Sequence, residues 1–277
     1  MSTARKPDDA SVWPDVAFVG WGIALLVFFT LRATLSGPDD EVGAFGLRAA
    51  LLVGGPSKLL AFILATTFCF RSAQAIGEDA PTRIHWTVLG SGFLAFGIAQ
   101  AVLVAHQLLI PGETPYPNLA DACFVVGYGL MIGAMIGFAR AYLGSGLLLV
   151  PGRSLAATAL VAAAAVALVV VPVELSILRG TDPWLERVVG GVYPLLDACL
   201  IVLAALMIRI TVALRGSVFA RPWVLLLAGF VTFTLGDAIY GLPQPAWVTD
   251  PILDTFFALG YLLCAWGSLA QDRLLRA

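Results

Sequence analysis

Eight runs of about twenty apolar residues, each closed off by a short cluster of Pro, Gly or charged residues, constrain this chain more than any other feature. They fall near 13–35, 47–70, 84–110, 118–143, 154–176, 190–213, 221–242 and 251–270. A helix rises about 1.5 Å per residue, so about 20 residues cross the roughly 30 Å hydrocarbon core of a bilayer. In that medium each backbone N–H and C=O must find its partner within the segment, which makes a helix of every such run. Only 12% of the 277 residues are charged, against a usual soluble share of about 25%. That is too little polar surface to face water. The expected fold is therefore all-α: a polytopic membrane protein with eight transmembrane helices in a single domain over 1–277, without a soluble output domain.

Several function classes drop out at this stage. The net charge is -2 and no Lys/Arg-rich tract occurs, so nucleic acid is not an expected partner. The cysteines, Cys69, Cys123, Cys199 and Cys264, lie inside apolar runs without a CxxC pair or a neighbouring His, so neither a disulfide framework nor a zinc site is expected. They read as small buried apolar side chains. No motif identifies a cofactor, which stays unknown. The first run is long and is followed at once by further spans, so it reads as a retained helix and not as a cleaved leader.

Orientation follows from the basic residues. With the N-terminus inside, the cytoplasmic loops collect Arg5, Lys6, Arg71, Arg83, Arg140, Arg153, Arg209, Arg215, Arg221, Arg273 and Arg276; the outer side holds Arg32, Arg48, Arg179 and Arg187. Both termini are then cytoplasmic, in a bacterial inner membrane. The outer loops carry acids instead: Asp39, Asp40, Glu41, Glu113, Asp182, Glu186 and Asp250. Trp13, Trp21, Trp86, Trp184, Trp223 and Trp247 fall near the predicted interfaces, as an aromatic belt does.

Two near-copies of one phrase, "YPNLADACF" from Tyr116 and "YPLLDACL" from Tyr193, each set a carboxylate just inside an apolar run. A third version, "DPILDTFFALGYLL", opens the eighth run. The fourth and eighth runs share Asp-x-x-Phe-x-x-Gly-Tyr-x-Leu, at Asp121, Phe124, Gly127, Tyr128, Leu130 and at Asp254, Phe257, Gly260, Tyr261, Leu263. The second run has a degenerate form, "GPSKLLAF", with Lys58 in place of the acid, and it either starts near 47 or begins only at Pro56. The chain thus reads as four helical hairpins, about 13–70, 84–143, 154–213 and 221–270, repeated in one orientation.

Residues seven apart share a helix face, so Asp121 with Tyr128 and Asp254 with Tyr261 form acid-plus-phenol stripes. An acid in the first turn also interacts well with the helix dipole, so the aspartates read either as N-terminal caps or as a site. Asp237 is different. In "FTLGDAIYGL" it lies toward the C-terminal end of the seventh run, where the dipole disfavours a carboxylate. Ionisable groups within a span usually face the bundle interior and pair with one another. The expectation is one extracytoplasmic-side cavity gathering Lys58, His106, Asp121, Tyr128, Asp197, Asp237, Asp254 and Tyr261, with Lys58 as the cation and Tyr116, Tyr193 and Tyr240 close by. Gly129, Gly133 and Gly137 read as a ridge for close helix approach.

The order of "TPYPNLADACFVVGYGL", "GVYPLLDACLIVLAAL", "FTLGDAIYGL" and "ILDTFFALGYLLCAWGSLA" resembles the multi-spanning N-terminal membrane region of bacterial GGDEF/EAL-type signalling proteins, over about residues 84–272. That resemblance implies a sensory or membrane-anchoring input module. The chain ends at "AQDRLLRA" without an output domain, so the expectation is a freestanding module that neither makes nor degrades cyclic dinucleotides. A protein partner, within the membrane or as a separate cytoplasmic output protein, is then implied beside the lipid bilayer. Gly236-Asp237 and Pro56/Lys58 carry a weaker resemblance to lysoplasmalogenase-type membrane hydrolases, which implies paired aspartates activating water.

Three functions follow in order of preference. The first is a non-enzymatic sensory or scaffolding module with a polar cavity for a small ligand, ion or partner. The second is an intramembrane lipid hydrolase; neither a Gly-x-Ser-x-Gly elbow nor a HExxH motif is present to serve it. The third is a proton-coupled transporter, against which stands the placement of the candidate residues toward the outer side only.

Overall fold

The computed structural model describes residues 12–35, 43–110, 114–145, 150–215, 217–242 and 250–276, without the side chains of 32–35, 43–52, 213–215, 217–218 and 250–252. Arg5, Lys6, Asp39, Asp40, Glu41, Glu113 and Trp247, used above, lie outside the described residues, as do the side chains of Arg32, Arg48, Arg215 and Asp250. Among the described residues there are eight α-helices and no strand: α1 (Trp13–Leu35), α2 (Gly43–Ala75), α3 (Thr82–Leu109), α4 (Leu119–Gly144), α5 (Gly152–Arg179), α6 (Trp184–Arg215), α7 (Ser217–Gly241) and α8 (Asp250–Arg276). Each contains a stretch long and apolar enough to cross a membrane.

Two helices start earlier than their apolar runs suggested. α2 begins at Gly43 and passes through Gly54, Gly55 and Pro56 without ending. α6 begins at Trp184 and carries Pro194 inside it, so the Tyr193-Pro194 phrase does not mark a helix start as the Tyr116-Pro117 phrase does. Packing against neighbouring helices lets a proline sit within a membrane helix. The consequence is that Asp197 is a mid-helix carboxylate, which cannot be an N-terminal cap.

Six helices close a ring in the order α2, α3, α4, α6, α7, α8 and back to α2. α1 lies outside the ring against α8 and touches α2 little, while α5 lies outside against α6 and α7. The first predicted hairpin is therefore a connection in sequence and not a packed pair. The reason is an anchor that the apolar pattern hid: Asp15 of α1 accepts hydrogen bonds from Trp266 (2.6 Å), Arg221 (2.9 Å) and Arg273 (3.0 Å) of α7 and α8. The Phe18 ring stacks on Trp266 beside it. Outer faces of the peripheral helices are apolar; Leu160, Val161 and Leu168 of α5 are exposed, as lipid contact requires.

Two tight crossings organise the ring. At the α3–α4 crossing Gly92 and Gly127 meet, and at the α7–α8 crossing Gly229 and Gly260 meet. A Cβ on Gly127 would stand 2.9 Å from the Gly92 carbonyl oxygen, and one on Gly260 would stand 2.9 Å from that of Gly229. The glycine of the shared Asp-x-x-Phe-x-x-Gly-Tyr motif is thus the residue that lets each pair of backbones approach. Gly129 and Gly133 have open space around them, and only Gly137 of the predicted ridge meets a neighbour, the His85 ring.

The partners at these crossings reveal a second shared motif. "WTVLGSGFLAFGIAQ" of α3 and "WVLLLAGFVTFTLGD" of α7 align as Trp-x5-Gly-Phe-x2-Phe-x3-Gln/Asp, pairing Trp86 with Trp223, Gly92 with Gly229, Phe96 with Phe233 and Gln100 with Asp237. Trp86 and Trp223 also touch each other, ring centroids 5.7 Å apart. With Phe138 packed on both, they form a buried aromatic cluster within the ring, toward the N-terminal ends of α3 and α7.

Candidate functional site

Beyond that aromatic cluster, the N-terminal halves of α2, α4, α6 and α8 and the C-terminal halves of α3 and α7 surround a cavity of about 430 Å³. Of the predicted residues, Lys58, Asp121, Tyr128, Asp237, Asp254 and Tyr261 line it. Its walls are aromatic, with Phe96, Phe124, Phe233 and Phe257 facing in. The volume lies within the range of about 300–1,000 Å³ usual for small-molecule sites, and the mix of apolar wall and few polar groups is of the same kind.

Each predicted carboxylate has a separate environment. Asp121 does both things that the sequence left open: its Oδ2 accepts the Asn118 backbone N–H at 2.6 Å, closing the first turn of α4, and its Oδ1 accepts the Tyr193 hydroxyl at 2.7 Å. Asp254 is paired with Lys58, Nζ to Oδ1 at 2.5 Å. The lysine side chain is 10% exposed, and the Asp254 side chain is 34% exposed at the cavity rim. Asp197 is fully buried behind the wall, where its Oδ1 accepts the Tyr128 hydroxyl at 2.6 Å.

The other oxygen of Asp197 is buried and meets no donor at ordinary hydrogen-bond geometry. Its strongest charged neighbour is Asp237, which faces the cavity. Two carboxyl groups held side by side in an apolar setting repel when both are ionised, so a proton on Asp237 or a cation beside it would relieve the pair. Among the described residues no basic side chain pairs with Asp237. In the loop before α4, Tyr116 feels the same field: burial pushes its phenol above the ordinary value, and Asp121 and Asp237 are among the groups that push it further.

His106 is not brought to the site. It does not line the cavity, and its Nδ1 lies 3.3 Å from the Thr114 hydroxyl. Position along α3 put it at the right level, but rotation about the helix axis turns its neighbour Gln107 inward in its stead, with Gln100 nearly two turns away on the same wall. Gln100, Gln107 and the four phenylalanines are among the site residues that sequence reasoning missed. Aligning α3 with α7 through their shared Trp-x5-Gly-Phe motif would have found Gln100, since it answers to Asp237.

The helix ends opposite the cavity carry a second set of ions, also missed. Asp272 is buried between Arg71 (3.1 Å) and Arg276 (2.8 Å), and Asp15 has its own arginines. These carboxylates are matched by arginines. Among the described residues no group of three or more His, Cys, Asp or Glu is placed to hold a metal ion. The chain matches no protein-family model, no curated protein and no solved structure.

Proposed function

We propose that this protein is a non-enzymatic binding module of a bacterial inner membrane, sensory or scaffolding in role, that takes a small ligand into a cavity opening to the extracytoplasmic side. The observation that carries the reading is the convergence of Lys58, Gln100, Asp121, Tyr193, Asp237 and Asp254, from six different helices, on one aromatic-walled space. Burying ionisable groups within a membrane is costly, and a cavity that serves no purpose would not repay that cost. The excess of Arg on the loops at the opposite end supports cytoplasmic termini. The resemblance to GGDEF/EAL input regions supports a sensory role, with a protein partner in the membrane or cytoplasm reading the occupied state.

Native mass spectrometry of the protein released gently from its own membranes tests this. A small-molecule adduct of constant mass is expected, retained in Val126→Leu, a change on the outward face of α4, and lost in Phe233→Leu. Bare protein under all release conditions would contradict the reading.

One observation favours a second reading, an intramembrane lipid hydrolase: the buried Asp197 beside cavity-facing Asp237 resembles an acid–base pair. Release of product from lysolipids, absent in Asp237→Asn, would move the assignment there. Proton-coupled transport is the third reading: Trp86, Trp223 and Phe138 fill the bundle beneath the cavity on the α3, α4 and α7 side, while Thr66, Ser72, Ser268 and Asp272 are buried polar groups on α2 and α8, and proton flux in liposomes, abolished by Asp197→Asn, would move the assignment there.

A further inference from the structure

The cavity holds more carboxylates than cations. Asp254 is matched by Lys58, while no basic side chain among the described residues pairs with Asp121 or Asp237. The two halves of the ring make the imbalance specific. On α8, Asp254 and Phe257 hold an ammonium already: the Lys58 Nζ, 2.5 Å from the carboxylate and 6.0 Å from the ring centroid. On α4 the same motif places Asp121 and Phe124 at the same spacing, and both line the cavity. The neighbouring helix there, α6, supplies Tyr193 and Asp197 and no lysine. One half of the cavity therefore displays, built into the chain, the kind of group that the other half lacks.

We infer that the cavity binds an organic ammonium compound, its cationic head between Asp121 and Asp237 against the Phe124 ring and its apolar body along Phe96 and Phe233. This rests on the reading of the cavity as a ligand site. An ammonium desolvated in a membrane protein needs a counter-charge and gains further from an aromatic face. Asp237 supplies the charge: it sits where the α7 dipole opposes it, beside Asp197, and a cation relieves both. The Tyr193 hydroxyl, now on Asp121, holds the carboxylate oriented toward the space. Among the described residues lining the cavity, the basic side chain an anionic ligand would meet is Lys58, which is already engaged by Asp254.

The test is calorimetric titration of the full-length protein in a neutral maltoside detergent with benzyltrimethylammonium, phenylacetate and benzyl alcohol, which share an aromatic body and differ in charge. Saturable binding of benzyltrimethylammonium is expected, tighter than either of the others by about tenfold or more. Asp237→Asn should weaken it by about tenfold and Phe124→Leu by about fivefold, with Val126→Leu unchanged. If Asp237→Asn does not fold, Phe124→Leu decides: undiminished affinity in that variant overturns the inference. Tighter binding of phenylacetate, lost in Lys58→Met, overturns the ammonium assignment and leaves the cavity as a ligand site. Absence of saturable binding by all three probes overturns the inference as well, while the adduct search above judges the site separately.

Discussion

Asp254→Asn is expected to lower the stability of the folded protein by about 3 kcal/mol, the cost of leaving a buried charge without its partner. The Lys58 side chain is 10% exposed, and its described ion pair is with Asp254. Removing the carboxylate leaves a largely buried ammonium beside the Phe257 ring without its counter-charge. The reverse change, Lys58→Met, should cost less, about 2 kcal/mol, because the Asp254 side chain is one-third exposed and reaches the rim. Replacing both, Lys58→Met with Asp254→Leu, should recover most of the loss, since two matched apolar groups carry no desolvation penalty. Unfolding in mixed micelles against increasing denaturing detergent measures all three. Additive losses in the double variant would mean that the pair is not coupled.

Gly260→Ala is expected to cost about 1–3 kcal/mol, the range for overpacking a tight contact. The new methyl would meet the Gly229 carbonyl oxygen at 2.9 Å and the Phe233 backbone nitrogen at 3.1 Å, neither of which can turn aside as a side chain does. Relief requires α7 and α8 to separate, and that crossing is one of the tightest in the ring. Gly129→Ala is the control. It lies in the same kind of glycine-rich helix, but a Cβ there meets nothing within 4 Å, and alanine favours helix over glycine by up to about 1 kcal/mol. The same unfolding assay should show Gly260→Ala destabilised and Gly129→Ala neutral or slightly stabilised. Equal effects would place the close approach elsewhere.

Composition and run length made the eight helices legible, because a bilayer leaves few alternatives for runs of this kind. Chemistry at one level of the bundle was legible too: Asp121, Asp254, Lys58 and Asp237 could be placed near one end by counting residues from helix starts. Rotation was harder. A helix hydrophobic all round gives no periodicity to say which side turns inward, which is why His106 was expected inside and Gln100 was not. Helix starts defined by proline failed for α6, where Pro194 is internal, and so Asp197 passed for a cap when it is buried against Tyr128. Asp15 and Asp272 went unremarked in the sequence, and only the fold brings Arg71, Arg221 and Arg273 to them. Comparing α3 with α7 would have exposed the Trp86/Trp223 and Gly92/Gly229 correspondences from sequence alone.

Access to the cavity is the point on which the account turns. In a background with Cys123 and Cys199 changed to Ala and the buried Cys69 and Cys264 kept, cysteines introduced one at a time at 124 and 126 present two positions two residues apart on α4. Phe124 lines the cavity, and Val126 is 58% exposed on the outer face of the bundle. A membrane-impermeant thiol reagent added to intact cells should label Phe124→Cys and leave Val126→Cys unmodified, and neither should react when the reagent is confined to the cytoplasmic side. Labelling of Phe124→Cys only from the cytoplasmic side, or equal protection of both positions from outside, would contradict a water-filled cavity open to the extracytoplasmic face.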